Sequence, residues 1–282
     1  MAPRLEGEHH RLQVVHRKNW GAWFVAFVTL GLISLFVYAS AKSRIIDVSV
    51  FFHYLFSIDV IIGAKNALLV GTLSLLMASI LGLFIALARL SGNPILVSVS
   101  AAYVYFFRGT PFLIQILFWF NAVPIMFPRI YIALPFMSTP IIDSQTINVI
   151  TPFYAALFGI GLAETAYMAE IIRGAIQAID KGQSEAAMAL GLRRYQVMSR
   201  VIIPQVVRII IPSTGNEYLN LLKSTSLAMT IGYMELLRVV TNIYSATFEV
   251  VELLCVAGFW YIVLTGLVTA LQTAFEKIFP YR

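Results

Sequence analysis

The chain has 282 residues, of which 59% are apolar and only 12% charged, with a mean hydropathy of +0.82. Soluble domains carry about 25% charged residues, so this composition excludes an ordinary soluble globule. Disorder is excluded as well, because there is ample apolar surface to bury. The net charge of +6 does not indicate a nucleic-acid partner here, since membrane proteins concentrate Lys and Arg on one side of the bilayer. Cys255 is the single cysteine, and His9, His10, His16 and His53 lack zinc-type spacing. No metal and no cofactor is expected.

Long apolar runs predict an all-α polytopic membrane protein with about six transmembrane helices. In chain order they are Ala22–Ala41, Ala67–Ala88, about Pro111–Phe127, Pro152–Ile172, Ile202–Leu222 and about Val250–Ala274. Ser91-Gly92-Asn93-Pro94 breaks the chain after the second. The apolar stretch Ile95–Phe107 is too short to cross alone; it lies at the interface or extends the third span. Tyr38-Ala39-Ser40-Ala41 resembles a cleavage site, but the run before it is longer than a normal signal-peptide core. An arrangement with both termini inside places 14 of the 20 basic residues on the cytoplasmic side.

The segment 180–204 joins the fourth and fifth spans. Gly182 is read as the breaker of the fourth helix and Ser184 as the N-cap of a short helix rich in alanine. Gly191 permits a tight turn, and an amphipathic helix begins at Arg193. This segment is either a solvated loop or, with one apolar and one basic side, a surface for docking a partner protein.

Carboxylates inside the membrane cost at least about 2.5 kcal/mol and must face protein or water. Glu164 lies near the middle of the fourth span with no basic residue three or four positions away. It reads either as a cavity-lining ligand for a cationic substrate group or as a hydrogen-bonded glutamate packed against the fifth span. Glu170 is followed at helical pairing distance by Arg173, a structural ion pair. In the fifth span Pro204 and Pro212 each remove a backbone donor and allow a kink. Ser213, Asn216, Asn220 and Lys223 share one helix face, flanked by Glu217. That stripe lines either a water-filled substrate path or a seam between subunits; Glu217 with Lys223 or Ser224 would suit the two charges of an amino acid.

Glu185-Ala186-Ala187, then three residues, Gly191, nine residues, Val201, Ile203 and Pro204 resemble the loop signature of ATP-binding-cassette (ABC) importer permeases. Phe107-Arg108-Gly109-Thr110-Pro111, Ala166–Gly174 and Tyr218–Ala228 are similar to blocks of the polar amino-acid permeases within that superfamily. The resemblance covers about residues 64–276. It implies the type I importer permease fold over 64–276, with a preceding span and outer loop in 1–63 and a cytoplasmic tail in 277–282. It further implies a multi-pass bacterial inner-membrane subunit that imports a polar amino acid. The expected partners are a cytoplasmic ABC ATPase dimer, a second permease, a solute-binding protein and membrane lipid. Glu185, Ala186, Ala187, Gly191 and Pro204 would couple to the ATPase; Glu164, Asn216, Glu217, Asn220, Lys223 and Ser224 would line the substrate path. The chain carries no phosphate-binding loop of the Walker type, since Lys223-Ser224 follows Leu221-Leu222 and not glycine, so it is not expected to be an enzyme. The rival reading is a secondary transporter driven by an ion gradient, which requires a repeat of one half in the other.

Overall fold

The computed structural model describes residues 20–42, 47–132 and 140–278. The histidines and basic residues of the N-terminal segment, His9, His10, Arg11, His16, Arg17 and Lys18, lie outside the described residues, as does the end of the tail. The chain divides into two compact units, Met1–Asp47 and Val48–Arg282. The first contains helix α1, Trp20–Lys42.

The second unit begins before the boundary at residue 64, and the reason is packing. Helix α2, Val48–Leu55, and the first turns of α3, Ile58–Leu90, place Leu55, Val60 and Ala64 in one core with Leu253, Val256 and Ala257. Asp59, Lys65 and Asn66 break the apolar run but not the helix, so α3 starts well before Ala67. Helix α4 covers Pro94–Gly109, with Asn93 Oδ1 accepting from Ile95 N at 2.9 Å.

Between α4 and the next helical run, Phe112–Met126, the axis bends by 101°. Ile95–Phe107 therefore does not extend the third span in line. A residue before proline is pushed out of the helical region, and Thr110, ahead of Pro111, is extended at φ −107° and ψ 129°. Buried Gln115 braces the corner, donating from Nε2 to the carbonyls of Phe107 at 3.1 Å and Thr110 at 3.0 Å. The run comprises α5, Phe112–Leu117, a π turn at Phe118–Ala122, and α6, Val123–Met126.

The connection that follows carries an antiparallel hairpin of β1, Arg129–Ile132, and β2, Ile142–Gln145. This is a small β element in a helical protein. Arg129 grips Asp143 with Nε–Oδ1 at 2.6 Å and Nη2–Oδ2 at 2.8 Å. Hydrogen bonding to that guanidinium holds the Asp143 carboxyl below its ordinary range. A short helix, α7 (Thr146–Val149), leads into α8, Pro152–Gln177.

The remaining helices are α9, Lys181–Ala189; α10, Arg194–Val197; α11, Ile203–Ser224; α12, Leu236–Thr247; and α13, Val250–Ile278. A π turn, Met198–Ile202, joins α10 to α11, and a 3₁₀ turn, Thr225–Ile231, continues α11. Pro204 therefore sits in the first turn of α11 rather than kinking its middle. Pro212 does lie inside α11, and Gln272 Nε2 from α13 reaches its carbonyl at 3.3 Å.

Among the described residues four helices are long and apolar enough to cross a membrane, or five if the bent pair forms one span. The expectation of six also counted α1, whose described apolar run is Trp23–Leu32. At the centre, α3 packs on α8 through small residues. Gly82 of α3 faces Met168 and Ala169 of α8, and Gly161 of α8 faces Ser74 of α3, while Gly71 packs on Leu221 and Leu222 of α11 and Gly159 on Ile116 of α5. Lipid supplies no hydrophobic drive between helices, so association depends on close contact of this kind. A Cβ at Gly82 would lie 2.9 Å from Met168 Cβ and 3.0 Å from the backbone nitrogen of Ala169. Gly82→Val should therefore cost about 1–3 kcal/mol, read as a lower melting temperature of the detergent-solubilised chain.

Candidate functional site

Three groups of residues carry chemistry: the loop between α8 and α11, an ionic cluster at its root, and a polar face on α8 and α11.

Helix α9 of the loop is capped by Asp180, whose Oδ1 accepts from Gly182 N at 2.7 Å. The cap is thus Asp180 and not Ser184, and Gly182 lies within the helix rather than breaking the one before it. Ser184 Oγ instead donates to Lys181 O at 2.7 Å. The start falls earlier because Asp180 is the better acceptor for the free amides of the first turn. Helix α9 ends in a Schellman motif: Leu192 N donates to Ala187 O at 3.2 Å and Gly191 N to Met188 O at 2.9 Å. Gly191 has φ +82°, the left-handed conformation that this motif requires.

The loop is anchored on one side only. Ala187, Val197, Ile202 and Val206 share a core with Ala175 of α8. On the other side Glu185 and Ala186 are exposed, and with them Met188, Tyr195 and Leu190, the last at 84%. Gln196 Oε1 accepts from Arg193 N at 2.8 Å and so orders the start of α10.

At the root of this loop Arg173 Nη2 lies 2.6 Å from Glu170 Oε2, as the spacing of the two residues suggested. A second cation joins them: Arg89 Nη1, at the end of α3, lies 2.9 Å from Glu170 Oε1. Arg173 Nη1 also donates to Gln177 Oε1 at 2.6 Å. Beside this cluster Arg108 stands over the Tyr167 ring, 5.1 Å from its centroid, and Phe112 stacks on the same ring. The Phe107–Pro111 corner and the Ala166–Gly174 block thus meet in space. Sequence periodicity reveals i, i+3 partners only, so Arg89 was not visible as a partner of Glu170.

Glu164 is 1% exposed, and its Oε1 has no hydrogen-bond partner. Ser74, whose Oγ is likewise buried and unpartnered, lies against Gly161, one turn before Glu164. From α11 the Glu217 carboxyl is near enough to Glu164 to repel it. Asn216, Asn220 and Lys223 project from the same helix as exposed residues. Ser224 Oγ donates to Asn220 O, within its own helix, at 3.0 Å. The structure therefore places Glu164 within electrostatic range of Glu217 and leaves Asn216, Asn220 and Lys223 on an open face.

A residue that sequence reading overlooked is Glu235, buried at the start of α12. Its carboxylate accepts from Leu237 N at 2.9 Å, Arg238 N at 2.8 Å and the Tyr261 hydroxyl at 3.0 Å. Glutamate is not a usual N-cap, which explains why the pattern gave no signal.

Glu170 serves two arginines from two helices, so its interactions should not be additive. A double-mutant cycle of Glu170→Gln and Arg89→Gln, read by thermal unfolding in detergent, should give a coupling of about 1 kcal/mol.

The family described as binding-protein-dependent transport system inner membrane component matches residues 78–278. The chain is 37% identical over 266 residues to the arginine transport system permease protein of Corynebacterium glutamicum, covering 92% of this chain and 80% of that one. It is 32% identical over 215 residues to the glutamine transport system permease protein of Escherichia coli, covering 76% and 90%. A crystal structure of an amino acid ABC transporter with histidines superposes with a TM-score of 0.65 at 32% identity, covering 78% of this chain and 93% of that one. The exposed loop, its ionic root and the polar helix face thus belong to a known architecture, and this multi-pass chain is a member of the binding-protein-dependent transport system inner membrane components.

Proposed function

We propose that the chain is the permease subunit of an ATP-driven importer for polar amino acids, and that its substrate carries a cationic side chain. The observation that supports the substrate class is the pair Glu164 and Glu217. A buried carboxyl with an unpartnered oxygen, within electrostatic range of a second carboxyl, is a site that an ammonium or guanidinium group relieves. The Corynebacterium glutamicum relative is an arginine transport system permease protein, which agrees with this. Asn216, Asn220, Lys223 and Ser224 extend the path along α11, where a second permease, identical or homologous, closes the other side. Helix α1 adds a further span, and both termini lie on the side of the ATPase.

The ATPase is a separate subunit, and two copies of it bind the paired permeases. Glu185, Ala186, Met188, Leu190 and Tyr195 present an exposed, largely apolar edge that fits a groove on such a partner, while Ala187 holds the other edge to the bundle. Gly191 sets the angle at which α9 leaves the loop, and Pro204 starts the helix that receives its motion. On the opposite side of the membrane a solute-binding protein delivers the substrate. An ion-gradient mechanism calls for discontinuous helices in matching halves; among the described residues one helix pair is sharply bent, and no observation favours that rival.

Uptake of labelled arginine and of glutamate in the native host tests the substrate class. Glu164→Gln should lower arginine uptake at least about tenfold, the effect of losing roughly 1.4 kcal/mol of interaction, with little change for any neutral amino acid carried. Equal loss for all substrates would refute the cation contact. A second experiment tests the coupling. Gly191→Val places a β-branched residue at positive φ, so an ABC ATPase that co-purifies with the native chain should be lost from the variant.

A further inference from the structure

The corner between α4 and α5 carries a cation that the import scheme above does not use. Arg108 is the penultimate residue of α4, and Gln115 clamps the corner on both sides of it, through the carbonyls of Phe107 and Thr110. The Arg108 side chain is exposed, and its guanidinium stands over the Tyr167 ring, 5.1 Å from the centroid. Phe112 stacks on the same ring with centroids 6.2 Å apart. The head of Arg108 is therefore placed by a backbone corner and an aromatic stack, not by an acid. Among the described residues no ion pair includes it. Glu170 is within electrostatic range, but its two oxygens already hold Arg89 and Arg173.

Tyr167 comes ten residues before the end of α8, about 15 Å of helix from it. A guanidinium held at that level of a membrane span is costly in hydrocarbon and must face protein, water or a ligand. Arg108 lines two openings. One is a cavity of about 520 Å³ shared with Arg89, Tyr105, Tyr167 and Glu170; the other, of about 200 Å³, lies between the corner and Tyr167. The larger is of the size that holds small molecules. Tyr167 follows Glu164 by three residues, so the ring beneath Arg108 is one helical turn, about 4.5 Å of rise, from the acid assigned above to the substrate cation.

We infer that Arg108 is a specificity-determining residue of the path: its guanidinium receives the α-carboxylate of the substrate, one turn of α8 nearer the exposed loop than Glu164. Every amino acid carries that carboxylate, and a guanidinium matches it with two parallel hydrogen bonds. Stacking on Tyr167 holds the planar head while leaving its N–H groups free for this fork. A lysine would keep the charge but lose both the stack and the fork. The substrate then lies along α8 with its carboxylate at Arg108 and its side chain toward Glu164 and Glu217. Lys223 is the other cation on the path, but it follows Glu217 by six residues of α11, about 9 Å of helix. The inference rests on the importer reading, but not on the charge of the substrate side chain.

The test compares two ligands that differ only in the carboxylate. Labelled L-arginine is bound to the assembled transporter in nanodiscs, without binding protein, and competed with L-arginine or with L-argininamide. The native transporter should prefer arginine by at least about tenfold, the scale of a charge-assisted pair. Arg108→Gln should weaken arginine about tenfold and leave argininamide within about twofold, so that the preference disappears. Arg108→Lys should fall between the two. Glu164→Gln should weaken both ligands and keep the preference. Equal weakening of both ligands by Arg108→Gln, or an unchanged preference, would overturn the inference and make Arg108 a structural residue. A native transporter without the preference, or one that loses it through Lys223→Gln instead, would overturn it too. If the native transporter binds a neutral amino acid and not arginine, the cationic substrate class fails, and that amino acid against its amide puts Arg108 to the same test. Binding of no amino acid at all would overturn both readings.

Discussion

The close contact between α3 and α8 is the constraint on which the rest of the protein depends. Apolar side chains gain nothing by leaving lipid for the surface of another helix, so the two backbones are held by dispersion over a long, smooth seam. Ser74 and Gly82 on α3 and Gly161 and Ala169 on α8 lie in that seam. Larger residues line its edges, and the other spans pack on those. Because the seam admits no bulk, it fixes the height of α8 relative to α3. That height sets where Glu164 lies within the bilayer and brings Arg89 to Glu170.

The ionic cluster converts this packing into a rigid base for the exposed loop. Glu170 receives Arg89 from α3 and Arg173 from its own helix, and Arg173 also binds Gln177 in the last turn of α8. A single ion pair near a surface contributes little. Here the pairs share one carboxylate and tie two helix ends at the point where the chain leaves the bundle. Helix α9 then departs at a fixed angle, through Asp180 at one end and Gly191 at the other. A push on its exposed edge can reach α8 and α11 because Ala187 and Val197 share a core with Ala175 and Val206.

Polar groups elsewhere follow a division of labour. Side-chain donors or acceptors meet the backbone at Gln115 in the corner, at Gln272 beside Pro212 and at Asp180 before α9, although the Oε1 of Gln115 has no partner. Among the described residues, buried oxygen atoms without partners occur on Ser57, Ser74, Gln115, Glu164, Thr214 and Thr241, three of them on α3, α8 and α11. In a membrane an unsatisfied polar group is costly, so residues of this kind mark a place where a ligand or water completes the structure.

Several features were legible in the sequence because they depend on local physics. Apolar run length gives the four long helices α3, α8, α11 and α13, the spacing of Glu170 and Arg173 gives their pairing, and the motif from Glu185 to Pro204 gives the family. The identity of each residue and its near neighbours suffices for these. The rest was decided by contacts between distant segments. The early start of α3 needed the core around Leu253; the 101° bend was set by Pro111 but oriented by packing on Tyr167. The second partner of Glu170 comes from 81 residues away, and the buried Glu235 carboxylate meets the hydroxyl of Tyr261, 26 residues further on. Hydrophobic and helical periodicities report which face of a helix is apolar, not which helix lies against it. Burial, and with it the chemistry of a carboxyl group, is a property of the assembled bundle.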